Sequence, residues 1–249
     1  MLVVLGLFGI IVGFCSGFFG IGGGTILVPT LIYLGFDIKV AIGISVMQMI
    51  FSSMFGSYHN HKAGVLALNS GMILGLGALI GAAFSGAIVN ALPHLALLIL
   101  FAFTLLISIY KMFTATLESY LLPNESKSLL LIIGIVVGAI SISTGTGGAI
   151  FLTPALVGFL HWDIKKAVGT TLFFVIFASI SGFISLAAHG LVEYDVGAVI
   201  SIGSVIGVYF GVKLSHRMVK KVQKRALLIL YVVMFLLTLN KILSEMNIL

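Results

Sequence analysis

The strongest constraint on this chain is a glycine-rich break written twice inside apolar sequence: Gly20-Ile21-Gly22-Gly23-Gly24 with Pro29 after it, and Gly145-Thr146-Gly147-Gly148-Ala149 with Pro154 after it. The surroundings give the breaks their meaning, because 60% of the 249 residues are hydrophobic, 8% are charged and the mean hydropathy is +1.27. Runs of Leu, Ile and Val of about 18 residues or more recur along the chain, each long enough to cross a hydrocarbon layer of about 30 Å as a helix. They predict an all-α polytopic membrane protein. A membrane β-barrel would show short segments alternating apolar and polar residues, and the long runs do not alternate. In lipid, non-helical backbone is tolerated only where it packs in protein or lines a cavity, so the two breaks mark the place to look for function.

Shifting the chain by 125 positions, Gly20 onto Gly145, also lays Gly9, Gly13, Gly22, Gly23, Pro29 and Leu31 on Gly134, Gly138, Gly147, Gly148, Pro154 and Leu156. After one inserted residue, Asp37-Ile38-Lys39, Ala41, Gly43, Gly64, Gly71, Gly77, Gly81 and Phe84 fall on Asp163-Ile164-Lys165, Ala167, Gly169, Gly190, Gly197, Gly203, Gly207 and Phe210. Unrelated apolar sequences align Leu with Ile, not glycine with glycine. We therefore read an internal duplication, with a first membrane repeat at 1–117, a linker at 118–128 and a second repeat at 129–249.

Each repeat contains five apolar segments, near 2–19, 25–35, 41–58, 67–90 and 94–115, then 129–143, 149–160, 168–187, 196–214 and 226–244. The second segment of each set gives only about 16–18 Å of helix, too little to span a bilayer. It pairs with its predecessor as a re-entrant or short-helix hairpin topped by the glycines. Such a hairpin returns the chain to the side it left, and three further crossings then make the repeats inverted. With the basic loop from Lys213 to Arg225 taken as cytoplasmic, this arrangement places all 13 Lys and Arg residues inside except Lys39 and Lys241, as the positive-inside rule requires. Parallel repeats would scatter more of them outside.

Several alternatives fall away. Residues 1–20 read as mature protein, since no basic residue precedes Lys39 and no small-residue cleavage pattern follows. The single cysteine, Cys15, has no partner for an internal disulfide or a metal site. The net charge of +6 is parcelled into short loops, which points to topology and not to nucleic acid. No cofactor is expected, and a homo-oligomer is compatible with the pattern.

A glycine cluster admits a ligand close to the main chain, and each cluster opens a short helix, at Thr25 and near Ala149, whose N-terminus offers unpaired N–H donors and about half a positive charge. Pro29 and Pro154 suit a first helical turn. The candidate substrate-binding residues are Gly20, Gly22, Gly23, Gly24 and Thr25 in the first repeat, and Gly145, Thr146, Gly147 and Gly148 in the second. Ser45, Gln48, Thr170 and Thr171 join them from the following helices. Ser16, Ser141, Ser143 and Thr144 are further uncharged donors nearby, whereas Gly71, Gly75, Gly77 and Gly81 read as helix-packing glycines. All seven Asp and Glu fall in loops or at the C-terminal tail, so no carboxylate is poised at mid-membrane for a cation or a coupling proton. That favours an anionic or neutral solute. His59 and His61 beside Lys62 are candidates for gating a mouth. Ser16 as an intramembrane nucleophile would require a base at its depth, and none is in view.

The motif Gly-x-Gly-Gly-Gly with a following Pro, repeated after the midpoint, resembles the sulfite exporter TauE/SafE family over essentially the whole chain. The resemblance implies a multi-pass permease of the bacterial or archaeal inner membrane, without enzymatic activity, moving small sulfur-containing anions such as sulfite, thiosulfate or sulfonates. The family motif falls on Gly20, Gly22, Gly23, Gly24 and Pro29, and on Gly145, Gly147, Gly148 and Pro154; Ala149 departs from it. Export through facilitated or alternating-access transport is the expected direction. A permease for another small solute, or a non-transporting membrane subunit, is the alternative.

Overall fold

Helix α1 (Leu2–Phe19) runs along α10 (Tyr194–Arg217) through glycines on both sides, and this contact organises one half of the molecule. A methyl group placed on Gly9, Gly13 or Gly17 would collide with main-chain atoms of Ile200, Ser204 or Val208, and one on Gly203, Gly207 or Gly211 with main-chain atoms of α1. Backbones this close are the usual solution for helices in lipid, where small residues allow dispersion contacts to replace the missing hydrophobic drive. The same arrangement joins α7 (Lys127–Ser143) to α4 (Leu68–Ala82), where Gly134 and Gly138 face Leu74 and Ala78 while Gly77 and Gly81 face Leu131 and Ile135. Gly71 and Gly75 receive the rings of Phe173 and Phe177, so all four of these α4 glycines pack helices together.

The structure is a computed structural model that describes residues 2–114 and 125–246. The expected linker therefore lies largely outside the described residues. The remaining helices are α2 (Gly24–Tyr33), α3 (Ile38–Lys62), α5 (Ser85–Ala91), α6 (His94–Thr114), α8 (Ala149–Gly158), α9 (Ile164–Ala188) and α11 (Lys220–Glu245). Among the described residues all regular structure is helical, and six spans are long and apolar enough to cross a membrane, with α4 and α5 counted as one. The outer surface carries Phe113 at 73%, Ile202 at 69% and Ile184 at 65% exposure, a facing suited to lipid and not to water. This is an all-α, multi-pass membrane protein.

Contact order along the helices gives their directions. Gly9, Gly13 and Gly17 meet Ile200, Ser204 and Val208 in turn, and Gly43 and Gly56 of α3 meet Leu191 and Val208, so α1 and α3 both run parallel to α10. By the same test α7 and α9 run parallel to α4. Two helices separated by a short arm thus point the same way, which requires that the α1–α2 pair, and likewise α7–α8, turns back. Gly23 accordingly lies against Val12, two turns before the end of α1.

Two sequence expectations need correction. The segment expected as one run at 67–90 is interrupted between α4 and α5, although its counterpart α10 is continuous. The cause is Ser185 of α9, whose Oγ donates to Ala83 O at 2.7 Å and accepts from Gly86 N at 2.9 Å, inserting a side chain into the helical ladder. Pro29 and Pro154 sit at the sixth residue of α2 and α8, beyond the first turn, so each removes an intrahelical bond and leaves the carbonyl of Thr25 or Ile150 without its i+4 donor.

Both ends of the bundle carry equivalent polar contacts. Asp37 caps α3 by accepting from Lys39 N at 2.8 Å, Lys39 Nζ donates to Asn90 O at 3.0 Å, and Asp37 Oδ2 faces His94 Nδ1 at 3.4 Å. At the other end Asp163 caps α9 from Lys165 N at 2.8 Å, Lys165 Nζ donates to His216 O at 2.9 Å, and Asp163 is paired with Lys220. Burial pushes the Asp163 carboxyl up, but Lys220 and the amides of Lys165 and Lys166 outweigh it and hold the group below its ordinary range.

Candidate functional site: two glycine turns meeting at mid-span

The two breaks adopt the same backbone. Gly20, Gly22 and Gly23 have φ of 71°, 73° and 94°, and Gly145, Gly147 and Gly148 have 70°, 74° and 92°. These left-handed values are open to glycine and cost other residues about 1–2 kcal/mol each. Gly23 and Gly148 are the N-caps of α2 and α8, without a side-chain cap. In α2, Ile26 N and Leu27 N both donate to Gly23 O at 3.1 Å; in α8, Phe151 N and Leu152 N donate to Gly148 O at 3.1 and 2.7 Å. The amides of the two residues before each pair precede the intrahelical ladder, which is the geometry of an anion-receiving helix start.

The breaks touch each other. A methyl on Gly24 would run into Gly145 O, which also accepts from Ser45 Oγ at 2.7 Å. Gly22 and Gly147 are both packed by Met49 and Val175, the twelfth residues of the 25-residue helices α3 and α9. The junction therefore lies half-way along the crossing helices. Its residues are closed to solvent on both sides: Thr25, Ser45, Gln48, Thr146 and Thr171 are each 0% exposed.

Gln48 is the outstanding side chain. It lies at Gly23, where a methyl would come within 2.7 Å of its Oε1 and 3.1 Å of its Nε2, and neither amide atom has a hydrogen-bond partner. Ser16 Oγ and Thr25 Oγ1 are likewise buried and unpartnered. Leaving a buried polar group unpaired costs about 1–3 kcal/mol, so Gln48 and Thr25 at this helix start, with Ser16 on the preceding helix, are a reservoir of unused bonding capacity.

The other sequence candidates fall into place unevenly. Gly20 closes α1, with its N–H on Ser16 O at 2.8 Å. Thr171 Oγ1 accepts from Thr153 Oγ1 at 3.2 Å, and Thr146 Oγ1 bonds Ser141 O at 3.2 Å and meets Thr144 Oγ1 at 3.1 Å. Ser143 bonds back to Ala139 O at 2.8 Å. The Thr170 hydroxyl is engaged elsewhere, accepting from Ala67 N at 3.2 Å in the α3–α4 turn. His59 turns back on Phe55 O at 2.8 Å. Ser16 Oγ bonds none of the described residues. Gly24 is not in the left-handed region; the Gly145 carbonyl excludes a side chain there. Sequence reasoning missed Val12, Met49, Phe174 and Val175, although superposing the repeats pairs Met49 with Val175 and Gln48 with Phe174.

The sequence pattern of the group described as "Sulfite exporter TauE/SafE" matches residues 5–238. The chain belongs to this family. Among similar TauE/SafE relatives is the probable membrane transporter protein YdhB of Bacillus subtilis (strain 168), 29% identical over 236 residues covering 91% of this chain and 95% of that protein. A probable membrane transporter protein of Haemophilus influenzae is 27% identical, covering 81% of each chain. The probable membrane transporter protein MJ0441 of Methanocaldococcus jannaschii is 26% identical, covering 89% of each. No solved structure matches. Membership of TauE/SafE and the six apolar spans make this protein a membrane permease in class.

Proposed function

We propose that this chain is an inner-membrane permease for small sulfur-containing anions, sulfite, thiosulfate or sulfonates, and that it exports them. The observation that carries the reading is the meeting of two helix N-termini at mid-span, each opened by left-handed glycines. Those ends supply N–H donors and partial positive charge among side chains closed to solvent. The family description supports the sulfur chemistry. In this reading the halves at 1–117 and 129–249 are inverted copies joined by 118–128, and the parallel pairings α1 with α10 and α7 with α4 support it. Alternating access then follows from rocking one hairpin against the other across Met49 and Val175.

Charge also supports export. Among the described residues no Asp or Glu is buried, so none of these offers a carboxylate for proton coupling within the membrane. An inside-negative potential of 100 mV drives a monovalent anion outward by about 2.3 kcal/mol without a coupling ion. The test is labelled sulfite flux in proteoliposomes at a set potential. Saturable flux that follows the potential and disappears in Gly23→Val is expected. No flux above empty liposomes for sulfite, thiosulfate or a sulfonate would overturn the substrate assignment.

A further inference from the structure

The two breaks share a backbone but not a chemistry. At the first, Gln48, Ser16 and Thr25 are fully buried with their polar atoms unpartnered. At the second, the equivalent of Gln48 is Phe174, whose ring occupies the space beside Gly148. The hydroxyls there are already bonded within the protein: Ser141 to Gly138 O at 3.4 Å, Thr144 to Ile140 O at 3.0 Å and Thr146 to Ser141 O at 3.2 Å. One break holds spare bonding capacity and the other has spent it internally.

The electrostatics narrow what the first break can hold. The atoms nearest a methyl placed on Gly22, Gly23 or Gly24 belong to Val12, Ser45, Gln48, Met49, Gly145 and Val175, none of them charged. No Lys, Arg or His is among the buried residues described. The second helix start is covered at its cap, Gly148, by the Phe174 ring, so the positive character open to a ligand is that of one helix N-terminus, about half a charge, reinforced by neutral donors. A singly charged anion matches that field, whereas a second negative charge would enter a dry site with nothing to balance it.

Resting on the permease reading above, we propose that the first break alone seats the substrate, that it takes one monovalent anion at a time, and that Gln48 selects it. Val175 and Met49 supply the apolar wall on the other side. Sulfite then enters as hydrogen sulfite and a sulfonate as its monoanion, while permanently divalent ions, sulfate and thiosulfate alike, are refused, which narrows the substrates proposed above to sulfite and sulfonates. The duplication supplies two moving hairpins but one binding seat.

Calorimetric titration of the purified full-length chain in nanodiscs tests this, with methanesulfonate as the permanently monovalent probe and sulfate as the divalent one. We expect one methanesulfonate per chain, sulfate binding at least tenfold weaker, and sulfite affinity rising on acidification in step with its hydrogen sulfite fraction. Gln48→Leu and Gln48→Glu should each weaken methanesulfonate at least tenfold, while Phe174→Leu stays within about threefold. Thermal melting of each variant identifies loss through misfolding, and the wild-type stoichiometry and charge selectivity decide the question even if Gln48→Leu fails to fold. Two anions per chain, equal binding of sulfate and methanesulfonate, or equal losses at Gln48 and Phe174 would overturn the single monovalent seat and leave the permease intact. Absence of binding by methanesulfonate, sulfite and thiosulfate alike would instead remove the permease reading itself.

Discussion

At the scale of single residues, glycine does three separable jobs in this chain. Gly22 and Gly23 are needed for a left-handed backbone, Gly24 for a direct approach of main chain to main chain, and Gly64, at φ 69° with open space around it, only for a turn. Gly64→Ala should therefore cost about 1 kcal/mol, the strain of one left-handed residue, and leave transport unchanged. Gly24→Ala adds no strain in φ but drives a methyl into the Gly145 carbonyl, which is backbone and cannot swing aside. We expect it to abolish sulfite flux and lower the melting temperature well beyond Gly64→Ala, measured on both variants side by side in the same detergent. Equal behaviour of the two would mean that the breaks need not touch. In the sequence, the contiguity of Gly22, Gly23 and Gly24 already separated them from packing glycines spaced three or four apart. Their division of labour was hidden, because it depends on which atoms lie opposite.

At the scale of helices, the glycine pattern made much of the architecture legible, since glycines spaced three or four apart predict which faces approach closely. It could not reveal the interruption between α4 and α5, because that depends on a long-range donor: Ser185 bonds Ala83 O and Gly86 N from another helix. Nor could it show that Thr170 turns to Ala67 while its neighbour Thr171 faces the junction, as a step of one residue rotates a helical side chain by about 100°. Ser185→Ala leaves the Ala83 carbonyl and the Gly86 amide without this partner, at a cost of about 1–3 kcal/mol for each group that stays dry. The expected result is a lower melting temperature and faster hydrogen exchange confined to residues 83–91, read by mass spectrometry. A variant with wild-type exchange there would show that the interruption has another cause.

At the scale of the whole molecule, the two ends of the bundle are held by equivalent contacts that differ in one chemical respect. Asp163 faces Lys220, while its counterpart Asp37 faces His94, which also has Glu245 Oε1 at 3.0 Å from Nε2, with Lys241 Nζ 3.7 Å from the same oxygen. Because the Asp163 carboxyl is held below its ordinary range, its contribution is complete above about pH 4 and is lost only as pH falls through the lowered value. These are partly exposed groups, so such a pair is worth about 0.2–1 kcal/mol, enough to bias a two-state transporter without locking it. The Lys220 end therefore stays constant between pH 5 and 8. At the opposite end His94 stands between the Asp37 and Glu245 carboxylates. If rocking between the two ends limits turnover, Lys220→Ala should raise methanesulfonate flux severalfold at most by loosening its own end alone. Asp163→Asn, which keeps a cap on α9, should raise it to a similar extent, and the double variant should add little, because both changes remove one contact. The check is flux of the two single variants and the double variant in proteoliposomes held at pH 7; wild-type flux in all three would mean that this contact takes no part in the rate-limiting movement.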